Sequence, residues 1–298
     1  MVYSEQRLIR IKIWGELMFD LREEAKVHRI VAAHRGIYGG NIPCNTLAAF
    51  QSALTQKADM IELDVTKSAD NTVFVFHEGC ERLQLGTDKP VSQMRDEEIR
   101  ELRYRNVDGA ITQYPVPTLD ETFELLKGKC YINLDKFERF PAETIACVKS
   151  HDMMDQIVVK TPAKKMQLDI IENLAPQIPY IVIVNDVDEV TGSIEQRNIN
   201  FVGVEATFIS EASPVAQESY IKALHDKGLL AWGNGIVFNY QRILSAGHTD
   251  DISMMGYPDD GWGWLARHGF DIIQTDWPLQ LSEYLVRTGL YYREGGTD

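Results

Sequence analysis

Cysteine is scarce. The 298 residues hold four, Cys44, Cys80, Cys130 and Cys147, widely spaced and with no Cys-x-x-Cys pair. That excludes a disulfide framework and gives no signature of a zinc site. Cys130 and Cys147 are expected as small buried apolar side chains. Positive charge is also short: 30 Lys and Arg stand against 44 Asp and Glu, for a net charge of −14. A duplex-DNA or anionic-membrane footprint needs clustered cations, so no nucleic-acid partner is expected. No apolar run approaches the ~18 residues that signal a bilayer-spanning helix, so no integral membrane segment is expected. The first residues carry Arg7, Arg10, Lys12 and Glu16 and lack the apolar core of a signal peptide. Thiols suit a reducing compartment, and a cytoplasmic location is the expectation; a leader removed before Met1 would leave the same sequence. There is no internal repeat or low-complexity tract.

What the chain does have is chemistry at the ends of short apolar runs. Val31-Ala32-Ala33-His34-Arg35-Gly36 is followed by Ile61-Glu62-Leu63-Asp64-Val65 and then Val75-Phe76-His77-Glu78. In a strand, residues i and i+2 share a face, so Glu62 and Asp64 point the same way, roughly 6–7 Å apart. Two carboxylates so placed repel unless a cation lies between them, and oxygen-only ligands favour Mg²⁺ or Ca²⁺ over zinc. The gap between Val65 and Thr72 is too short for a parallel crossover, so 72–77 folds back antiparallel. With Asp70 and Asn71 as a two-residue turn, Ala69 pairs with Thr72 and Asp64 with His77. One imidazole is thereby expected beside the carboxylates; His34 must arrive by tertiary geometry.

These residues resemble the glycerophosphodiester phosphodiesterase family, within the phospholipase C-like phosphodiesterase superfamily. The family pattern is a His-Arg-Gly strand end, an Asn-Thr helix start, an Ile-Glu-x-Asp-Val strand and a His-Asp/Glu strand end. Here those elements are His34-Arg35-Gly36, Asn45-Thr46, Ile61 to Val65 and His77-Glu78. The likeness continues through Arg82, Gly86, Pro117-Thr118-Leu119-Asp120-Glu121, Ile132-Asn133-Leu134-Asp135, Ala231-Trp232-Gly233-Asn234 and Ile273-Gln274-Thr275-Asp276. It spans about residues 30 to 285 in the expected order. Three positions depart from the family: Cys44 stands for its usual Glu, Asp135 for a Glu, and Phe137 for the Lys two residues later. Lys136 is expected to face away from an extended strand, which leaves Lys160, ending Ile157-Val158-Val159-Lys160, as the replacement phosphate donor.

Strand-like runs alternate with helical patterns, as in βαβ units. Eight barrel strands are expected at 30–34, 60–65, 130–135, 157–160, 180–184, 201–205, 229–232 and 272–275, with 72–77 set aside. Helices are expected at 45–56 with Asn45 as N-cap, 118–127 with a capping box, 163–174 and 213–227, with a long final loop over 239–261. The fold class is thus α/β: one (β/α)₈ TIM-type barrel over 30–298, with an antiparallel hairpin and a small insertion at about 79–114 carrying one helix, 96–104. A helical extension occupies 1–29, either packing over the barrel floor or serving as a homo-oligomer or partner contact. In such a barrel the chemistry lies at strand C-terminal ends, where the site residues fall.

The resemblance implies a metal-dependent hydrolase that cleaves glycerophosphodiesters to glycerol 3-phosphate and an alcohol. His34 and His77 are the expected acid and base; His34 is assigned the base, with the two roles open to exchange. Glu62, Asp64 and Asp135 are the expected ligands of one divalent cation, Mg²⁺ or Ca²⁺. Arg35, Lys160 and Trp232 are expected around the phosphate and substrate, and Glu205 is either a fourth acidic contact or a rim ion pair. Trp262 and Trp264 either close the pocket mouth or pack beneath the last loop. Two alternatives stand beside this reading: a sphingomyelinase D-like phospholipase of the same fold, and a barrel that binds glycerophosphoryl groups without turnover.

Overall fold

The computed structural model describes residues 12–13, 16–17 and 19–293. Strands β1 (Lys12–Ile13) and β2 (Glu16–Leu17) pair antiparallel. A barrel follows: β3 (Ile30–His34), β4 (Met60–Lys67), β6 (Tyr131–Asp135), β7 (Ile157–Pro162), β8 (Tyr180–Asn185), β9 (Phe201–Thr207), β10 (Leu230–Asn234) and β11 (Ile272–Thr275). These run parallel in sequence order, and β3 pairs with both β4 and β11, closing the sheet on itself. β5 (Val73–Val75) hangs antiparallel on β4. The expected (β/α)₈ barrel is therefore present, with each strand in its expected place.

Alternation along the strands sorts their side chains. Ile30, Ala32, Met60, Tyr131, Val158, Ile181, Leu230, Trp232 and Ile272 form one apolar cluster inside the barrel, whereas Val31, Ala33, Ile61, Leu63, Ile132, Leu134, Ile157 and Val159 face the surrounding helices. Phe19, Leu21 and Ala25 join the inner cluster, so the helix Leu21–Val27, capped by Asp20, covers the barrel floor. Arg22 holds it there through the carbonyl oxygen of Gly228 at 3.2 Å. The expected helical extension is thus part helix and part hairpin, since β1 and β2 replace helix where they are described; the rest of residues 1–18 lies outside the described residues.

Three local expectations are corrected. Hairpin register is Val65↔Val75, Thr66↔Phe74 and Lys67↔Val73, one residue from the expected pairing. The turn holds three residues, Ala69, Asp70 and Asn71, closed by Ser68 N–H to the Thr72 carbonyl at 2.9 Å; Asn71 takes the left-handed φ of 69° that such loops need. The helix after β3 is Leu47–Thr55, with Thr46 rather than Asn45 as N-cap. The insertion has two α-helices, Glu81–Gln84 and Asp96–Glu101, with a 3₁₀ turn, Val91–Gln93, between them. The second stops early because Tyr104 N–H turns to pair with the Tyr114 carbonyl at 2.9 Å. This insertion has its own small core of Phe74, Phe76, Leu85, Val91, Ile99 and Tyr104, which anchors the segment bearing His77.

A glycine sets how closely the first loop can fold. Gly36 has φ +76°, and a Cβ there would fall 2.7 Å from the Ala49 carbonyl carbon. Only glycine lets the chain leaving His34-Arg35 pass so near the next helix.

Candidate active site

At the C-terminal end of the barrel, β3, β4 and β6 lie side by side. The register puts His34 beside Glu62, and Asp64 beside Asp135. Glu62, Asp64 and Asp135 each offer a carboxylate oxygen within 4.8 Å of the others. Glu62 and Asp64 are buried. Burial, then the neighbouring Asp64 charge, pushes the Glu62 carboxyl up to about 7. Burial would also raise Asp135, but the ammonium groups of Lys136 and Lys160 outweigh it and hold that carboxyl below its ordinary value. Asp64 Oδ1 is buried with no hydrogen-bond partner among the described residues, an unmet acceptor that a hard cation would satisfy.

The two imidazoles flank these acids. His34 Nδ1 lies 2.8 Å from Asp276 Oδ1, and Asp276 also accepts a hydrogen bond from the Tyr38 hydroxyl at 3.1 Å. Burial depresses the His34 imidazole, but the Asp276 hydrogen bond together with the Glu62 and Asp276 charges outweighs it, so the net direction is upward. His77 Nε2 is 3.9 Å from Asp64 Oδ1. The one-residue register change thus leaves His77 beside the carboxylates, as expected. Its pKa is lowered by burial, which the Asp64 charge offsets only in part.

Arg35 follows His34 at φ 57°, where its backbone N–H reaches the Glu62 backbone and side-chain oxygens at 2.9 and 3.0 Å. Its Nε is 2.9 Å from Asp64 Oδ2. Asn45, at φ 56°, donates from its side chain to the same Asp64 oxygen at 2.9 Å and accepts from the Asp64 N–H at 3.3 Å. Asparagine tolerates the left-handed region, so Asn45 orients a carboxylate rather than capping a helix. Cys44 is buried and takes a hydrogen bond from Gln84 Nε2 at 3.3 Å.

Lys136 corrects the expectation that it faces away. The strand ends at Asp135, and Lys136 adopts φ 64°, ψ 6°, which turns its ammonium back onto the Asp135 carboxylate. Alternation holds only while the backbone stays extended. Phe137, at the family's lysine position, is buried in the outer core instead. Lys160 points into the barrel: Nζ lies 2.8 Å from Glu205 Oε2 and 3.3 Å from Gln274 Oε1, and 3.8 Å from the Trp232 ring centroid. Glu205 is thereby an ion-pair partner, also accepting from Asn234 Nδ2 at 2.8 Å. Trp232 is fully buried beneath Lys160. Trp262 and Trp264 pack under the last loop: Trp262 Nε1 donates to Asp250 Oδ1 at 2.6 Å, and Trp264 stacks between His248 and His268.

Two further acids, Asp276 and Asp250, support the site without any local pattern that assigns them a task. Asp250 is buried and accepts from Trp262, from the Thr275 hydroxyl at 2.7 Å and from the Asp276 N–H at 2.7 Å. Burial pushes its carboxyl up to about 7. It fixes the backbone that carries Asp276, which in turn holds His34. Asp276 lies within the Ile273-Gln274-Thr275-Asp276 motif; Asp250, which opens a short helix, Asp250–Met254, inside the expected final loop, carries no sequence signal.

The fold has many counterparts among solved structures. Residues 34–278 match the model of the glycerophosphoryl diester phosphodiesterase family. A glycerophosphodiester phosphodiesterase of Arabidopsis thaliana is 25% identical over 261 residues, 82% of this chain and 77% of that protein. One from Bacillus altitudinis is 30% identical over 171 residues, 53% of this chain and 67% of that protein. Among solved structures, a glycerophosphoryl diester phosphodiesterase from Parabacteroides distasonis superposes with a TM-score of 0.72 at 18% identity, covering 91% of this chain and 93% of that one. An Oleispira antarctica phosphodiesterase in complex with the product sn-glycerol-3-phosphate gives 0.62 at 18% identity, covering 87% and 97%. With a family match over most of its length, a closed barrel, and the His-Arg-Gly, Glu-x-Asp and His-Glu elements meeting at one end of it, this chain belongs to the glycerophosphoryl diester phosphodiesterase family and is a phosphodiesterase.

Proposed function

We propose that the protein hydrolyses glycerophosphodiesters to glycerol 3-phosphate and an alcohol, using a divalent cation, Mg²⁺ or Ca²⁺, held by Glu62, Asp64 and Asp135. The observation that carries this reading is the convergence of three carboxylates within 4.8 Å, one with an unpartnered buried oxygen, between two imidazoles. The donor set is all oxygen and fits a hard cation. Bound there, the cation supplies charge neutralisation for the phosphate oxygens.

The remaining work falls to the chain itself. Arg35 and Lys136 face the carboxylates and add positive charge at the phosphate position. Lys160, on the strand beside Asp135, acts on the same place through its field at Asp135, with Trp232 as its apolar bed. One imidazole takes the proton from the nucleophile, which is water or the glycerol's own hydroxyl, and the other protonates the leaving alkoxide. Their opposite pKa directions supply the asymmetry such a pair needs. Asp276 accepts from His34 Nδ1 and so directs Nε2 toward the substrate.

Family membership supports this reading over the sphingomyelinase D-like alternative, and the paired imidazoles favour turnover over binding alone. The test is incubation with glycerophosphocholine, lysophosphatidylcholine or sphingomyelin, each with and without EDTA. Release of glycerol 3-phosphate and choline from the first, abolished by EDTA, is expected. Turnover of sphingomyelin alone, or of none of the three, would overturn it.

A further inference from the structure

On the outer wall of the barrel, away from the acids just described, three unlike ligand groups meet. Asp120 Oδ1 lies 2.8 Å from His151 Nε2 and 3.4 Å from Cys147 Sγ, and all three donor atoms fall within 4.8 Å of one another. We propose that Asp120, Cys147 and His151 form a second metal site, selective for Zn²⁺ and metals of similar softness, completed by water.

The donor chemistry separates this site from the first. A sulfur, an imidazole nitrogen and one carboxylate oxygen match zinc, while Mg²⁺ and Ca²⁺ prefer oxygen throughout. Bond lengths of about 2.0–2.3 Å set ligand atoms of a tetrahedral zinc roughly 3.3–3.8 Å apart, close to the separations already present. Asp120 is exposed and Cys147 and His151 are partly so, which leaves an approach for the ion and room for a fourth ligand.

The ligands are carried on fixed elements. Asp120 sits in the first turn of the helix Leu119–Leu126, whose start is held by the Thr118–Glu121 capping box. Cys147 lies in the helix Pro141–Ser150, and His151 is its C-cap. Their i, i+4 spacing puts both on one face of that helix end. The Phe123 ring, 5.4 Å from the imidazole and edge-on to it, holds His151 toward Asp120. Two donors now converge on one oxygen of Asp120, and a metal would replace those shared protons with direct bonds.

Binding is balanced by one proton. Asp120 coordinates through its carboxylate oxygen, His151 binds through Nε2 once its ring proton has moved to Nδ1, and the Cys147 thiol loses its proton to solvent as the sulfur–metal bond forms. Burial and the Asp120 carboxylate hold that thiol proton firmly, up to about 12. Apparent affinity should therefore fall about tenfold for each unit the pH is lowered.

The test is Co²⁺ titration of the full chain with Mg²⁺ in excess, read by absorbance. A thiolate-to-cobalt charge-transfer band with tetrahedral d–d bands, saturating at one equivalent and displaced by Zn²⁺, is expected. Cys147→Ser should abolish the charge-transfer band, and His151→Gln and Asp120→Asn should weaken binding roughly tenfold or more, since loss even of outer partners costs that much. All three variants should keep phosphodiesterase activity in Mg²⁺. No charge-transfer band, or one that survives Cys147→Ser and disappears in Cys80→Ala, would overturn the proposal; the latter would put the thiolate at the barrel mouth, where Cys80 Sγ lies 3.5 Å from His77 Nδ1.

Discussion

Nδ1 of His34 lies 2.8 Å from Oδ1 of Asp276, although 242 positions separate them in the chain. Closure of the barrel makes this contact, because β3 pairs directly with β11. It fixes which imidazole nitrogen is left for chemistry. Asp276→Asn should lower kcat on the order of 10²-fold or more. It also replaces the anionic acceptor that raises His34 with a neutral amide, so the ionisation of His34 should move to lower pH. The measurement is a pH–rate profile beside ¹⁵N shifts of the imidazole; an unmoved His34 titration with full turnover would remove Asp276 from the mechanism.

His34→Ala and His77→Ala should each reduce kcat by ~10²–10⁴-fold, the usual cost of losing a positioned proton donor or acceptor. Circular dichroism and thermal melting should show an intact barrel. Wild-type turnover in either variant would exclude that histidine.

Cation affinity should be pH-dependent with a definite sign. Burial and Asp64 raise the Glu62 carboxyl to about 7, so protons compete with the cation as pH falls through that value. Calorimetric titration with Mg²⁺ or Ca²⁺ should give tighter binding at pH 8 than at pH 6. Without cation the linkage runs the other way for stability. A folded pKa above the ordinary value of 4.5 gives a contribution that is full below 4.5 and lost as pH rises through about 7. EDTA-treated protein should therefore lose that contribution between pH 5 and 8, and added cation should restore stability most at pH 8. A pH-independent affinity would contradict the shared site.

The two lysines near Asp135 should separate by phenotype. Lys136→Met removes a charge facing the carboxylates and should raise KM for glycerophosphocholine about tenfold or more, with little change in melting temperature. Lys160→Met also removes the partner of buried Glu205, so besides slower turnover it should cost about 3–5 kcal/mol of stability. Adding Glu205→Gln should restore much of the stability. Urea denaturation reads the second effect and steady-state kinetics the first; identical behaviour of the two variants would contradict their different surroundings.

Much of this molecule follows from local pattern. Period-two alternation and apolar runs locate all the barrel strands, since in-or-out placement of a strand residue depends only on its neighbours in sequence. The motif residues therefore fall at strand C-terminal ends, where the barrel gathers them. What the local pattern could not carry were the points where the backbone leaves regular geometry. Lys136 at φ 64° turns toward Asp135, and Asn45 at φ 56° reaches Asp64; an extended-strand or helix-cap rule assigns both the wrong direction. A third turn residue shifts the hairpin by one, because turn length sets register before any side chain is consulted. His34–Asp276, Lys160–Glu205 and Asp120–Cys147–His151 join residues from separate elements. Sequence supplied those groups, and only closure of the barrel and packing of its helices decided which would meet.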